Sequence, residues 1–164
     1  MNEMPSCKNI RLKDYDYSSN GAYFVTICTK DKVKLFGDLV GATLCCRPNN
    51  PDKLVEKCLI EIESKFENTR IDKHIIMPNH LHFVLFQTGD HAGSPLRDIV
   101  GWFKTMTTNE YIRCVKNGLF PPFDMQIWQR NYYEHIIRDE QDYLRVWQYI
   151  DENPAKWADD VYFV

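Results

Sequence analysis

Two apolar runs of strand length, IDKHIIM at 71–77 and HLHFVLF at 80–86, are separated only by Pro78-Asn79. Parallel strands need a crossover of about a dozen residues, whereas antiparallel strands close through a tight turn. The pair therefore predicts two adjacent antiparallel strands, with Pro78 in a turn position that needs no ladder donor.

The remaining segments must pack around that hairpin. The run AYFVTICT at 22–29, after Ser18-Ser19-Asn20-Gly21, is β-branched and aromatic and predicts a first strand. Pro48-Asn49-Asn50-Pro51 breaks the chain, and KLVEKCLIEIESKF then spaces Leu54, Cys58, Ile62 and Phe66 four apart, the stripe of a helix. After a loop at 89–95, LRDIVGWFKTMTTNEYIRCV carries Leu96, Ile99, Val100, Phe103, Met106 and Tyr111 at helical spacing, despite Gly101 and several threonines. Gly118 ends this helix, and Pro121-Pro122 forbids regular structure. MQIWQRNYYEHII predicts another strand or a pair of strands. Finally, DEQDYLRVWQYIDEN places Tyr143, Val146, Trp147 and Ile150 on one helical face, with Asp139, Glu140 and Asp142 at the end where the dipole favours acid. Asn153-Pro154 stops it, because proline disfavours the α conformation in its predecessor. The order β, α, β, β, α, β, α predicts an α+β fold, an antiparallel sheet with helices packed against it, related to ferredoxin-like and RNA-recognition (RRM-like) folds.

The 164 residues, 44% hydrophobic and 13% aromatic, suit one domain over 1–164 with a real core. No run approaches the roughly 18 apolar residues of a membrane span, and the first residues, MNEMPSCKNIRLKDYDY, lack the apolar core of a secretory signal. A cytoplasmic protein with no membrane partner is expected. Cys7, Cys28, Cys45, Cys46, Cys58 and Cys114 form no C-x-x-C pair, which argues against a zinc knuckle or a disulfide framework. The net charge of -3 counts against a nucleic-acid binder. Its distribution softens that objection: residues 97–138 carry 6 basic and 4 acidic side chains, whereas residues 139–164 carry 2 and 7.

Alternation along a strand puts His80 and His82 on one face, about 6.5 to 7 Å apart along the backbone, where two imidazoles can converge on one divalent ion. An H-x-H tripeptide alone equally permits a histidine that merely packs at a sheet edge, so a third ligand is needed. At about 100° per residue, Tyr149 and Asn153 stand one turn apart, beside the buried stripe of Val146 and Ile150. A phenol next to a metal-bound phosphate can attack phosphorus, and the Asn153 amide oxygen can complete the coordination. Nine tyrosines are present, and a tyrosine at the margin of an amphipathic helix is ordinarily a packing residue with a wet hydroxyl.

MPNHLHFVL, WQRNYYEHIIRD and WQYIDENPAKW, in this order, resemble the REP-associated tyrosine transposases, a branch of the IS200-like Y1 transposases within the HUH nuclease superfamily. The likeness runs from about Arg11 to the C-terminus. It implies a metal-binding histidine-hydrophobic-histidine motif at His80, Leu81 and His82, a nucleophile at Tyr149 in a Y-I-x-x-N-P signature, and a third ligand at Asn153. It further implies a transposase and endonuclease that cleaves and rejoins single-stranded DNA at or beside hairpins. The implied cofactor is Mg²⁺ or Mn²⁺, and the implied intermediate is a 5′-phosphotyrosine with a free 3′-hydroxyl. The REP-associated branch implies a monomer, a homodimer being the alternative.

Lys104, Arg130, His135 and Arg138 are candidate DNA contacts, each equally readable as an ordinary surface charge or histidine. Trp102, Phe103, Trp128 and Tyr132 could stack on bases, although core packing is the commoner fate of such residues. Alternation should bury one of Tyr132 and Tyr133 and expose the other. His74 and His91 receive no role. Two rivals stand beside the nuclease reading: a non-catalytic nucleic-acid-binding module on the same scaffold, and a metal hydrolase that uses water and would not need Tyr149.

Overall fold

A computed structural model describes residues 20–36, 50–88 and 94–159. His91, Cys7, Cys45, Cys46, Ser18, Ser19, Pro48 and Asn49 lie outside them. The elements are β1 (Gly21–Cys28), α1 (Pro51–Lys65), β2 (Thr69–Met77), β3 (His80–Gln87), α2 (Leu96–Lys116), β4 (Tyr133–Ile137) and α3 (Glu140–Glu152), with short 3₁₀ turns at Lys30–Lys32 and Trp157–Asp159.

The hairpin forms as expected: β2 and β3 pair antiparallel from Met77↔His80 outward. The whole sheet is antiparallel, in the order β2-β3-β1-β4, so β1 is bonded on both sides. Placing β3 between β1 and β2 is the split arrangement of a ferredoxin-like βαββαβ unit, and α3 is an addition to it.

Alternation divides each strand between two cores. Tyr23, Val25, Ile27, Leu81, Phe83 and Leu85 join Val55, Leu59 and Ile62 of α1 and Ile99 and Phe103 of α2 in the larger one. On the opposite face, Phe24 and Val84 meet Val146 and Ile150 of α3, flanked by Ile75, Phe86, Ile137 and Tyr143. Each fully buried side chain of this size contributes roughly 1.5–3 kcal/mol, so α3 is held by few anchors, Ile150 foremost at 0% exposed. Polar ties help fix its azimuth: the Tyr143 hydroxyl donates to Asp72 at 2.6 Å, and Lys73 pairs with Asp151 at 2.9 Å.

Four expectations need correcting. MQIWQRNYYEHII yields only the short strand β4, with an isolated bridge from Thr29 to Trp128. The carbonyls of Gln129, Arg130 and Asn131 turn to the Lys104 ammonium instead of a ladder partner, while Ile127 and Trp128 drop into the core. Helix α1 begins at Pro51, since a first-turn proline gives up only an N–H that has no intrahelical acceptor. Trp147 is half-exposed, with the Lys73 ammonium 3.6 Å above its ring, and so does not join the buried stripe. Helix α3 does end at Glu152 as expected, but Asn153 keeps α geometry (φ -56°, ψ -42°) ahead of Pro154, so the backbone switch that proline was expected to impose does not occur.

Candidate active site

The side chains of His80 and His82 point to the α3 face because they alternate with Leu81 and Phe83, which belong to the large core. Both are buried, and their ring centroids lie 4.5 Å apart. Each Nδ1 is committed: His82 Nδ1 to Thr26 Oγ1 at 2.8 Å, across the Thr26↔His82 register pair, and His80 Nδ1 to Asn79 Oδ1 at 2.8 Å. When Nδ1 carries the proton and donates in such a bond, the lone pair resides on Nε2, the tautomer a cation requires. Burial first, and the neighbouring His80 second, hold His82 well below the ordinary imidazole pKa, so it is neutral near pH 7.

Helix α3 brings Tyr149 to this pair. Asp139 caps the helix by accepting from the Asp142 N–H at 2.8 Å, and Val146 and Ile150 seat it on Phe24 and Val84. The Tyr149 ring meets His82 edge-on at 5.3 Å and Phe24 at 5.9 Å, yet remains 42% exposed. Asn153 follows one turn on, between Tyr149 beside His82 and Trp157, whose ring lies 5.7 Å from His80. It is only 4% exposed, and its Oδ1 is buried with no hydrogen-bond partner among the described residues.

An unsatisfied buried acceptor is unfavourable by about 1–3 kcal/mol. A divalent cation would satisfy it, and two imidazole nitrogens with an amide oxygen form a donor set that such an ion accepts. The residues therefore fit a metal ion. Among the described residues no group of three or more His, Cys, Asp or Glu gathers, so without the amide the site falls short of a three-ligand set.

A cavity of about 740 Å³ opens between α3 and the sheet, lined by Thr26, His82, Tyr133, His135, Arg138 and Tyr149 among others. His135 lies there, opposite Phe24 on β4, and its Nε2 is 2.8 Å from Asp142 Oδ2. Arg138 lines the same cavity, and Arg130 is exposed in the loop before β4. The Lys104 ammonium lies 2.8 to 3.2 Å from three carbonyls, and burial draws its pKa down to about 8, so it positions the 129–131 loop. Phe103 and Trp128 are core, and Trp102 and Tyr132 pack against it. His74 sits 3.7 Å from Glu56, which does not connect it to the site.

Sequence reasoning missed Thr26, Asn79, Phe24 and Trp157. The two hydrogen-bonding residues depend on strand register and turn geometry, which no periodicity reveals. Trp157 stood in plain sight in WQYIDENPAKW, but nothing in the pattern said that a 3₁₀ turn returns it to His80.

No helix among the described residues is long and apolar enough to cross a membrane. No family model matches the chain. It is 37% identical over 171 residues to an uncharacterized protein of Haemophilus influenzae, covering 96% of this chain and 93% of that one. It is 27% identical over 145 residues to a second Haemophilus influenzae protein, provisionally named a REP-associated tyrosine transposase, covering 86% and 74%. Among solved structures, a REP-associated tyrosine transposase bound to a REP hairpin superposes with a TM-score of 0.63 at 18% identity, over 90% of this chain and 73% of that one. A provisionally named transposase from Deinococcus radiodurans gives 0.53 at 18% identity, over 87% and 97%. The chain belongs to one family with the first of these Haemophilus influenzae proteins, and its fold is that of the REP-associated tyrosine transposases.

Proposed function

We propose that this protein is a metal-dependent endonuclease of the HUH type that cuts and rejoins single-stranded DNA at or near hairpins, with Tyr149 as nucleophile. The observation that carries the reading is the meeting of Tyr149 with His82 at 5.3 Å, with a buried amide oxygen, unpartnered among the described residues, one helical turn beyond. His80, His82 and Asn153 would hold Mg²⁺ or Mn²⁺, which when bound supplies charge that polarises a phosphoryl oxygen.

The Tyr149 oxygen, having lost its proton, attacks phosphorus. The Tyr–O–P bond forms as the bond to the 3′-oxygen breaks, and that oxygen takes up a proton to leave as a 3′-hydroxyl. The protein then carries a 5′-phosphotyrosine, and attack by a 3′-hydroxyl reverses the step and rejoins a strand. The half-exposed phenol suits this role, since a DNA strand can reach it from the open cavity. The hairpin-bound structural neighbour makes hairpin DNA the first substrate to try.

The test is covalent capture. A labelled hairpin oligonucleotide with single-stranded tails, incubated with Mn²⁺ or Mg²⁺, should yield a protein–DNA adduct that Tyr149→Phe abolishes while leaving the melting temperature intact. Strand scission without an adduct would instead indicate water as nucleophile, and binding without scission a non-catalytic module.

A further inference from the structure

We propose that Tyr133 is a stacking platform for an unpaired base of the DNA strand that reaches Tyr149, with Arg138 contacting that strand's phosphate. The proposal rests on the nuclease reading only in supposing that the strand in this cavity is the one being cut.

Residues 132 and 133 face opposite ways. Tyr132 packs against the large core with the Lys104 ammonium 5.5 Å from its ring centre. Tyr133, opposite Thr26 on the α3 face, lines the cavity and is 39% exposed. Phe24, itself stacked on His82 at 5.3 Å, contacts both tyrosines. Tyr133 meets Phe24 at 6.4 Å and 71°, and Tyr149 meets it at 5.9 Å and 87°. Both rings thus stand steeply to one aromatic floor, with centroids within about 12 Å of each other, a span of a few nucleotides at roughly 3.4 Å rise per stacked base.

The charges around them select the occupant. Asp142 is engaged by His135 at 2.8 Å and Arg145 at 3.6 Å, and Asp139 caps α3. Arg138 lines the cavity with no side-chain partner among the described residues. An exposed aromatic ring and an unneutralised guanidinium lining one cavity match a short stretch of nucleotides, whose bases have π-faces and whose phosphates are anionic. A tyrosine retained only for packing would not need to stand open on the wall of a cavity that also holds that cation.

The experiment uses the Tyr149→Phe protein and a hairpin oligonucleotide carrying 2-aminopurine at each single-stranded tail position in turn. One tail position should lose fluorescence on binding. Adding Tyr133→Leu should abolish that quenching and weaken binding roughly 5- to 150-fold, the range for one lost base–aromatic stack, whereas Tyr133→Phe should keep both. Arg138→Gln should weaken binding and flatten its salt dependence while leaving the quench intact at saturation. Quenching at no tail position, or a Tyr133→Leu protein that quenches and binds like its parent, would overturn the proposal. So would loss of covalent adduct in the Tyr133→Phe, Tyr149-intact protein, which would make Tyr133 a nucleophile. Because the fluorescence is read without cleavage, failure of the Tyr149 assignment leaves this outcome separately decidable.

Discussion

Thr26→Val is the most informative single change to the histidine pair. Valine fills nearly the volume of threonine but removes the oxygen 2.8 Å from His82 Nδ1. Thr26 and His82 are each 1% exposed, so little solvent-accessible surface is left for water to replace the lost partner. Leaving one buried polar nitrogen unsatisfied costs about 1–3 kcal/mol. For a chain of this length, where 1 kcal/mol shifts the melting temperature by about 2–4 °C, the metal-free protein should melt roughly 2 to 12 °C lower. With Nδ1–H donating, the same bond holds the tautomer that presents Nε2, and losing an outer-shell partner of a ligating histidine typically weakens metal binding about 10- to 100-fold. Isothermal titration with Mn²⁺ reads the affinity, and thermal melting with chelator reads the stability. Thr29→Val is the control: it also removes a buried strand-end hydroxyl, one that bonds the carbonyls of Val33 and Asn79 instead of an imidazole, and it should lower stability with little change in Mn²⁺ affinity. If Thr26→Val lowers stability while Mn²⁺ binding stays at the parent value, the imidazole pair is not the metal site and the reasoning fails.

Three further outcomes follow from the geometry. His82 is held below the ordinary imidazole pKa, so its neutral form favours the fold; stability is complete above the unfolded value of about 6.5 and falls as pH drops below it, by up to about 1.4 kcal/mol per pH unit. Urea unfolding with chelator should therefore show a shallower loss between pH 6.5 and 5 in His82→Gln than in the parent, and matching slopes would refute the cause. Mn²⁺ should bind more tightly than Mg²⁺ in calorimetry, because two of the three donors are imidazole nitrogens and Mg²⁺ favours oxygen; the reverse order would argue for ligands other than His80 and His82. Ile150→Ala should destabilise by about 2–5 kcal/mol, since it empties the most buried anchor of α3, and should reduce adduct formation with the same temperature dependence as the melt. Equal stability would mean that α3 is held by its polar ties instead.

Much of this protein was legible from residue order. The two-residue spacer at Pro78-Asn79 left the strands on either side of it one pairing, and period-two alternation put His80 and His82 on one face before any register was known. The 3.6-residue period set Tyr149 beside the Val146 and Ile150 stripe, and the structure brings that edge against His82. Residues 126–132 misled, because their β-branched and aromatic content reads as strand. Lys104, far away in sequence, claims the carbonyls that a second strand would have offered to a neighbour.

Local pattern thus determined which elements form and which side chains share a face, because backbone periodicity is a property of consecutive residues. Tertiary structure alone decided which face α3 covers, that Thr26 and Asn79 orient the imidazoles, and that Tyr133 and Arg138 open onto the cavity beside Tyr149. Those are relations between residues some 50 to 125 positions apart in some cases and neighbours in others, and they depend on strand register and helix docking, which packing of the whole chain sets.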